Sequence, residues 1–171
     1  MKKILFVCTG NYYRSRFAEC YFWFLSDMFG IKLEADSRGF EISLADGLAK
    51  KLGEIHPMTK HEIRSFKYLD SEKENWGSRE TYTSKIIKNR KQIALSDFES
   101  FDIVIALNKK EHEKYIIDMS IDESVKKKII MWDIDDVIFD LAPTKCFNSI
   151  KIKCEELFMK LYNEEIINGT I

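Results

Sequence analysis

Residues 3–7, KILFV, form an unbroken apolar run, and soon after it the chain takes up a helical repeat. A run without alternation predicts a strand covered on both faces, as in a parallel sheet between helices. From Ser15 on, Phe17, Tyr21, Phe24, Leu25 and Met28 recur at three- and four-residue spacing and mark one helical face. Gly30 is placed to end that helix. The alternation continues. IKLEADS (31–37), FDIVIAL (101–107) and KKIIMWD (127–133) read as further strands. Helices are expected over 41–66, with a break near GEIHP, over 109–117, and along Ile150, Cys154, Leu157, Phe158 and Leu161. The expectation is an α/β fold of three layers, a central four-stranded parallel sheet with helices on both faces.

A length of 171 residues favours one domain over 1–171. Its least regular part is the polar stretch at about 67–97, a segment long enough for a lid, a binding loop or a solvated insert. The insert is the reading preferred here, with one short helix around 84–91. The net charge of −1 gives no bulk attraction to nucleic acid or to a membrane surface. No apolar run approaches the roughly 18 residues of a membrane span, and Ile4–Cys8 is too short for the core of a signal peptide. Cys8, Cys20, Cys146 and Cys154 make no zinc-binding pattern and read as cytoplasmic thiols.

The chemistry is concentrated between the first strand and the first helix, in CTGNYYRS (8–15). Ligands of open parallel sheets bind beyond the carboxyl ends of the strands. A helix start there offers unpaired N–H groups and partial positive charge, and a tight loop turns more N–H groups inward. Gly10 allows a sharp turn, and Arg14 brings a planar fork suited to two phosphate oxygens. Such surroundings favour a thiolate, and a thiolate beneath a phosphoryl group is set for in-line attack. A lone cysteine after a buried strand is also a common core residue, so the surrounding pattern carries the reading.

That pattern resembles the phosphate-binding loop of the low-molecular-weight protein tyrosine phosphatases, C-x-G-N-x-x-R-S near the N-terminus. Cys8, Gly10, Asn11, Arg14 and Ser15 match it, and Phe17–Glu19 resembles the helix start that follows, with Arg16 where a proline is usual. The resemblance implies a phosphomonoester hydrolase with a phosphocysteine intermediate, needing no cofactor and no metal. Cys8 would be the nucleophile and Arg14 the transition-state clamp. Thr9, Gly10, Asn11, Tyr12, Tyr13, Arg14 and Ser15 would cradle the phosphate. Ser15 would assist the thiolate, and Asn11, Ser37 and His61 would support the loop. For Ser37 and His61 an ordinary surface role is the competing reading, whereas His56 and His112 read as structural.

The family's general acid lies in an Asp-Pro pair after the fourth strand, and this chain has WDIDDV (132–137) instead. Laid on the family pattern, it puts the acid at Asp136, with Asp135 as the alternative; Asp133 and Asp140 lie nearby. Val137 and Ile138 replace the aromatic pair that often follows. Tyr12 and Tyr13 are candidates for the walls of the entrance, and Trp132 is either wall or core. A threonine at position 12 would accompany phosphoarginine phosphatases of this fold, and Tyr12 does not fit that. The implied partner is a phosphotyrosine protein or a small aryl phosphate, with no nucleic acid and no membrane. Two alternatives stay open. One is a thioredoxin-linked arsenate reductase, which would need cysteines in a mobile segment between the third and fourth strands. The other is a phosphate-binding regulatory module with weak catalysis.

Overall fold

The computed structural model describes residues 2–51, 90–136 and 143–167. Four strands, β1 (Lys3–Cys8), β2 (Glu34–Gly39), β3 (Ile103–Ala106) and β4 (Ile129–Met131), form one sheet in the order β2-β1-β3-β4. All three pairings are parallel. Between and after the strands run α1 (Arg14–Phe29), α2 (Ile42–Lys51), α3 (Leu95–Ser100), α4 (Lys109–Asp118), α5 (Glu123–Lys126) and α6 (Pro143–Ile167). The expected fold class is the observed one.

The unbroken apolar run has its reason in the two halves of the core. Ile4, Phe6 and Cys8 of β1 face α1 and α6 and join Phe17, Phe22, Ile150, Cys154 and Phe158. Leu5 and Val7 face the other way, onto Phe40, Ile93, Phe98 and Ile116. Successive strand residues point to opposite sides, so a central strand between two layers of helix must be apolar at every position.

Some boundaries differ from the sequence reading. The second strand begins at Glu34, three residues later than expected, and continues to Gly39. Its register pairs Cys8 with Gly39, so the strand runs on until it meets the loop after β1. The first helix starts at Arg14 and ends at Gly30, whose φ of 68° is left-handed. Of the polar stretch at 67–97, residues 90–97 belong to the fold. Gln92 bridges to Gly39, Ile93 is buried, and α3 starts at Leu95, with Asp97 accepting from the Ala94 N–H at 2.8 Å. The helix expected around 84–91 is absent at 90–91, which are not helical; residues 84–89, like 67–83, lie outside the described residues. Trp132 is core, 5.9 Å from the Phe6 ring.

Candidate active site

Every strand delivers a residue to the same edge. β1 ends at Cys8, β2 at Gly39, β3 leads to Asn108 and β4 to residues 132–136. The loop after β1 fills the space between them. Asn11 sits at φ 48°, a left-handed conformation that asparagine tolerates better than most side chains. It is buried and held on three sides. Its Nδ2 donates to Ser15 Oγ at 3.0 Å and Ser37 Oγ at 2.9 Å, and its Oδ1 accepts from the Lys91 N–H at 2.9 Å. Gly39 makes this approach possible: a Cβ there would lie 2.9 Å from the Asn11 nitrogen and 3.0 Å from the Gly10 carbonyl carbon.

Cys8 Sγ lies 3.1 Å from Ser15 Oγ. Because Asn11 donates to that hydroxyl, the serine hydrogen is left for the sulfur, or for the Arg38 carbonyl at 3.4 Å. Arg14 opens α1 and is only 2% exposed. Its Nη1 donates to Glu111 Oε1 at 3.0 Å and to the Ile134 carbonyl at 3.3 Å. Its Nη2 donates to Glu111 Oε2 at 2.7 Å and to Asp136 Oδ2 at 3.0 Å. Burial opposes the charge on Arg14, but Glu111 and the nearby Cys8 outweigh it and raise the guanidinium pKa. The cation is fixed beside the sulfur by its carboxylate neighbours.

Of the acids after β4, Asp133 and Asp135 point to solvent, and Asp136 is the one on Arg14. Asp140 and residues 137–138 lie outside the described residues, as do His56 and His61. Ser37 does meet the loop, through Asn11. Tyr12 is half-buried; its hydroxyl donates to Asp46, and the Arg90 guanidinium stacks 4.1 Å from its ring centre. Burial and the Asp46 carboxylate push the Tyr12 hydroxyl up to about 12. Tyr13 is turned the other way. It is 6% exposed and packs edge-on against Phe147, so its side chain is core and not a wall of the entrance. Consecutive residues at the mouth of a helix diverge, and the sequence holds no sign of which one turns outward.

Three participants were not legible as site residues. Glu111 and His112 lie in the first turn of α4, which Asn108 caps by accepting from the Glu111 N–H at 3.1 Å. The Asn-x-x-Glu spacing after a buried strand was the available signal. His112 is fully buried, and burial followed by the charge of Arg14 brings it down to about 4. Its Nδ1 accepts from the Asn108 N–H at 3.2 Å, which places the ring proton on Nε2, 3.3 Å from Thr9 Oγ1. The third is Glu19, buried on α1 and raised to about 7, first by burial, with the Asp36 charge adding to it against Ser37, Lys91 and Arg16. Cys146 and Cys154 are buried on α6, where they pack instead of forming an exposed redox pair.

The comparisons with known proteins agree with this geometry. Residues 3–66 match the sequence model of the low molecular weight phosphotyrosine protein phosphatases. No curated protein matches the chain. Among solved structures, the low molecular weight protein tyrosine phosphatase from T. tengcongensis superposes with a TM-score of 0.65 at 23% identity, over 94% of this chain and 99% of that one. SP-PTP, the low molecular weight protein tyrosine phosphatase from Streptococcus pyogenes, gives 0.63 at 20% identity, over 98% of each chain. The arginine phosphatase YwlE from Geobacillus stearothermophilus gives 0.59 at 18%, over 97% and 96%. These likenesses carry the fold. Cys8, Asn11, Arg14 and Ser15, assembled as one loop, all lie inside the segment that matches the low molecular weight phosphotyrosine protein phosphatase model, and the chain as a whole shares the fold of these phosphatases.

Proposed function

We propose that the protein hydrolyses phosphotyrosine-like monoesters through a phosphocysteine intermediate. The observation that carries this reading is the convergence on one loop of Cys8 Sγ, 3.1 Å from Ser15 Oγ, and a buried Arg14 that reaches Asp136 at 3.0 Å. The phosphoryl group enters over the loop N–H groups and takes the Arg14 edge that Asp136 now holds. Cys8 Sγ attacks phosphorus in line. The P–O bond to the leaving group breaks as the S–P bond forms, and the leaving oxygen takes a proton from Asp136. Asp136 then removes a proton from water, which attacks the phosphocysteine; phosphate departs and the thiolate returns, steadied by the Ser15 hydroxyl.

The half-buried ring of Tyr12, backed by Arg90, offers an aromatic wall and favours an aryl ester over a phosphoguanidine. A reducing cytoplasm suits a mechanism that needs Cys8 as the free thiolate. Among the described residues no helix is long and apolar enough to cross a membrane. Steady-state hydrolysis of p-nitrophenyl phosphate and of a phosphotyrosine peptide, with competitive inhibition by vanadate, tests the proposal. Turnover of both supports it, whereas vanadate binding without turnover supports the phosphate-binding module instead. Arsenate-dependent oxidation of thioredoxin would favour the reductase.

A further inference from the structure

Glu111 holds Arg14 in a particular way. An arginine fork has two usable edges, the end formed by Nη1 and Nη2 and the side formed by Nε and Nη2. Glu111 takes the end with both carboxylate oxygens, at 3.0 and 2.7 Å. The second Nη1 hydrogen goes to the Ile134 carbonyl. The side edge is left, with Asp136 on Nη2, and among the described residues nothing takes the Nε–H.

Glu111 is itself held. Its Oε2 accepts from Thr9 Oγ1 at 3.0 Å, and Thr9 receives the Nε2 proton of His112 at 3.3 Å. A chain of donors therefore runs from the Asn108 N–H through His112 and Thr9 to the Glu111 carboxylate, which also accepts from the Arg14 guanidinium. It joins the second residue of the phosphate loop to the arginine at its end. Burial works against the Glu111 charge, but the hydrogen bonds and charge of Arg14, with His112 and Thr9, hold its pKa below the usual carboxylate range. The carboxylate stays ionised across neutral pH.

We propose that Glu111 is a positioning residue for the phosphoryl transfer: bidentate on the Nη1/Nη2 end of Arg14, it aims the Nε/Nη2 edge at the transferring group. This rests on the phosphatase reading above. The alternative, a carboxylate that occupies the phosphate seat as a competitor, would need to hold the edge that Glu111 leaves open.

The two are separated by steady-state kinetics of the full chain on p-nitrophenyl phosphate. Glu111→Gln keeps size and hydrogen bonding but removes the charge. It should lower kcat about 10- to 100-fold, the range of a lost charge-assisted hydrogen bond, while KM stays near the wild-type value. Because vanadate mimics the transition state, its inhibition constant should rise in proportion to the loss in kcat/KM. In an Arg14→Lys background Glu111→Gln should cost nothing further, since the residue acts through the arginine. Glu111→Asp, with the charge kept but the reach shortened, should recover part of the rate. Unchanged kcat in Glu111→Gln, or an additive loss in the double variant, overturns the proposal. So does faster turnover with tighter vanadate binding, the signature of a removed competitor. A wild-type protein that neither turns over nor binds vanadate removes the phosphatase reading itself, a result distinct from these.

Discussion

Asp136 Oδ2 rests 3.0 Å from Arg14 Nη2, on the edge of the guanidinium that Glu111 leaves open. Two negative groups and one positive group share this space, with Cys8 beside them. In the proposed mechanism an incoming phosphoryl dianion displaces one carboxylate from Arg14, and Asp136, which meets the guanidinium through one oxygen where Glu111 uses two, is the one expected to give way. Once displaced and protonated, it would be the acid that the proposed mechanism places beside the leaving oxygen. On that proposal the same contact keeps the acid close before substrate arrives and yields it when substrate binds.

Asp136→Asn should slow phosphotyrosine hydrolysis by about 10²–10⁴-fold, the usual worth of general-acid help. An activated ester such as p-nitrophenyl phosphate should lose less, because its leaving group needs less protonation. Asp135→Asn, at an exposed position, should leave both rates nearly as they were. Rate measurements on both substrates with both variants check this; a leaving-group-dependent loss in Asp135→Asn alone would move the acid by one residue.

Cys8→Ser should abolish turnover while leaving vanadate or phosphate binding measurable by calorimetry, because the proposed cradle consists of loop N–H groups and Arg14. Wild-type turnover by this variant would remove the phosphocysteine intermediate.

Arg14→Lys keeps a charge but cannot serve Glu111 and a phosphoryl group at once, since only the planar fork has two edges. A loss of about 10²–10³ in kcat/KM is expected, the scale of one removed donor to a developing anion. Equal catalytic efficiency in the two proteins would place Arg14 outside the chemistry.

Gly39→Ala forces a Cβ to within 2.9 Å of the Asn11 nitrogen, against backbone that cannot swing aside. Chemical denaturation should show a loss of about 1–3 kcal/mol, as for other overpacked sites. Vanadate affinity should fall as well, because the displaced residue is the one that shapes the loop. Intact affinity would show that the loop holds its form without the close approach of β2.

Stability should respond to acid through two groups of opposite sign. His112 is lowered to about 4 when folded, so the unfolded chain binds its proton first. Its neutral, buried form favours folding above the ordinary histidine value near 6.5, and that contribution is lost as pH falls towards 4. Glu19 is raised to about 7, so the folded chain keeps its proton longer. That contribution is full below the ordinary carboxyl value near 4.5 and is lost as pH rises through 7. Each shift corresponds to something on the order of 3 kcal/mol, and in the shared window they offset. Glu19→Gln should leave stability falling with acid from pH 6.5 to 4, and His112→Gln should leave it falling as pH rises from 4.5 to 7. Urea midpoints across that range would show it; parallel profiles in the two variants would refute the assignment.

How far the sequence reached follows from the range of each interaction. The apolar run at 3–7, the helical repeat from Phe17 to Met28 and the loop between them are local patterns. They determined a strand buried on both faces, a helix ending at Gly30 and a short loop between them that carries Cys8 and leads into Arg14, because burial on a strand or helix imposes its own period on neighbouring residues. Which distant groups meet that loop was decided only in three dimensions. Parallel pairing in the order β2-β1-β3-β4 brings Ser37, Lys91, Glu111 and Asp136 to one edge from four separate parts of the chain. No period links residues so far apart. Asp135 and Asp136 are alike in the sequence, as are Tyr12 and Tyr13, and each pair was divided by the direction in which one Cα–Cβ bond leaves the packed chain.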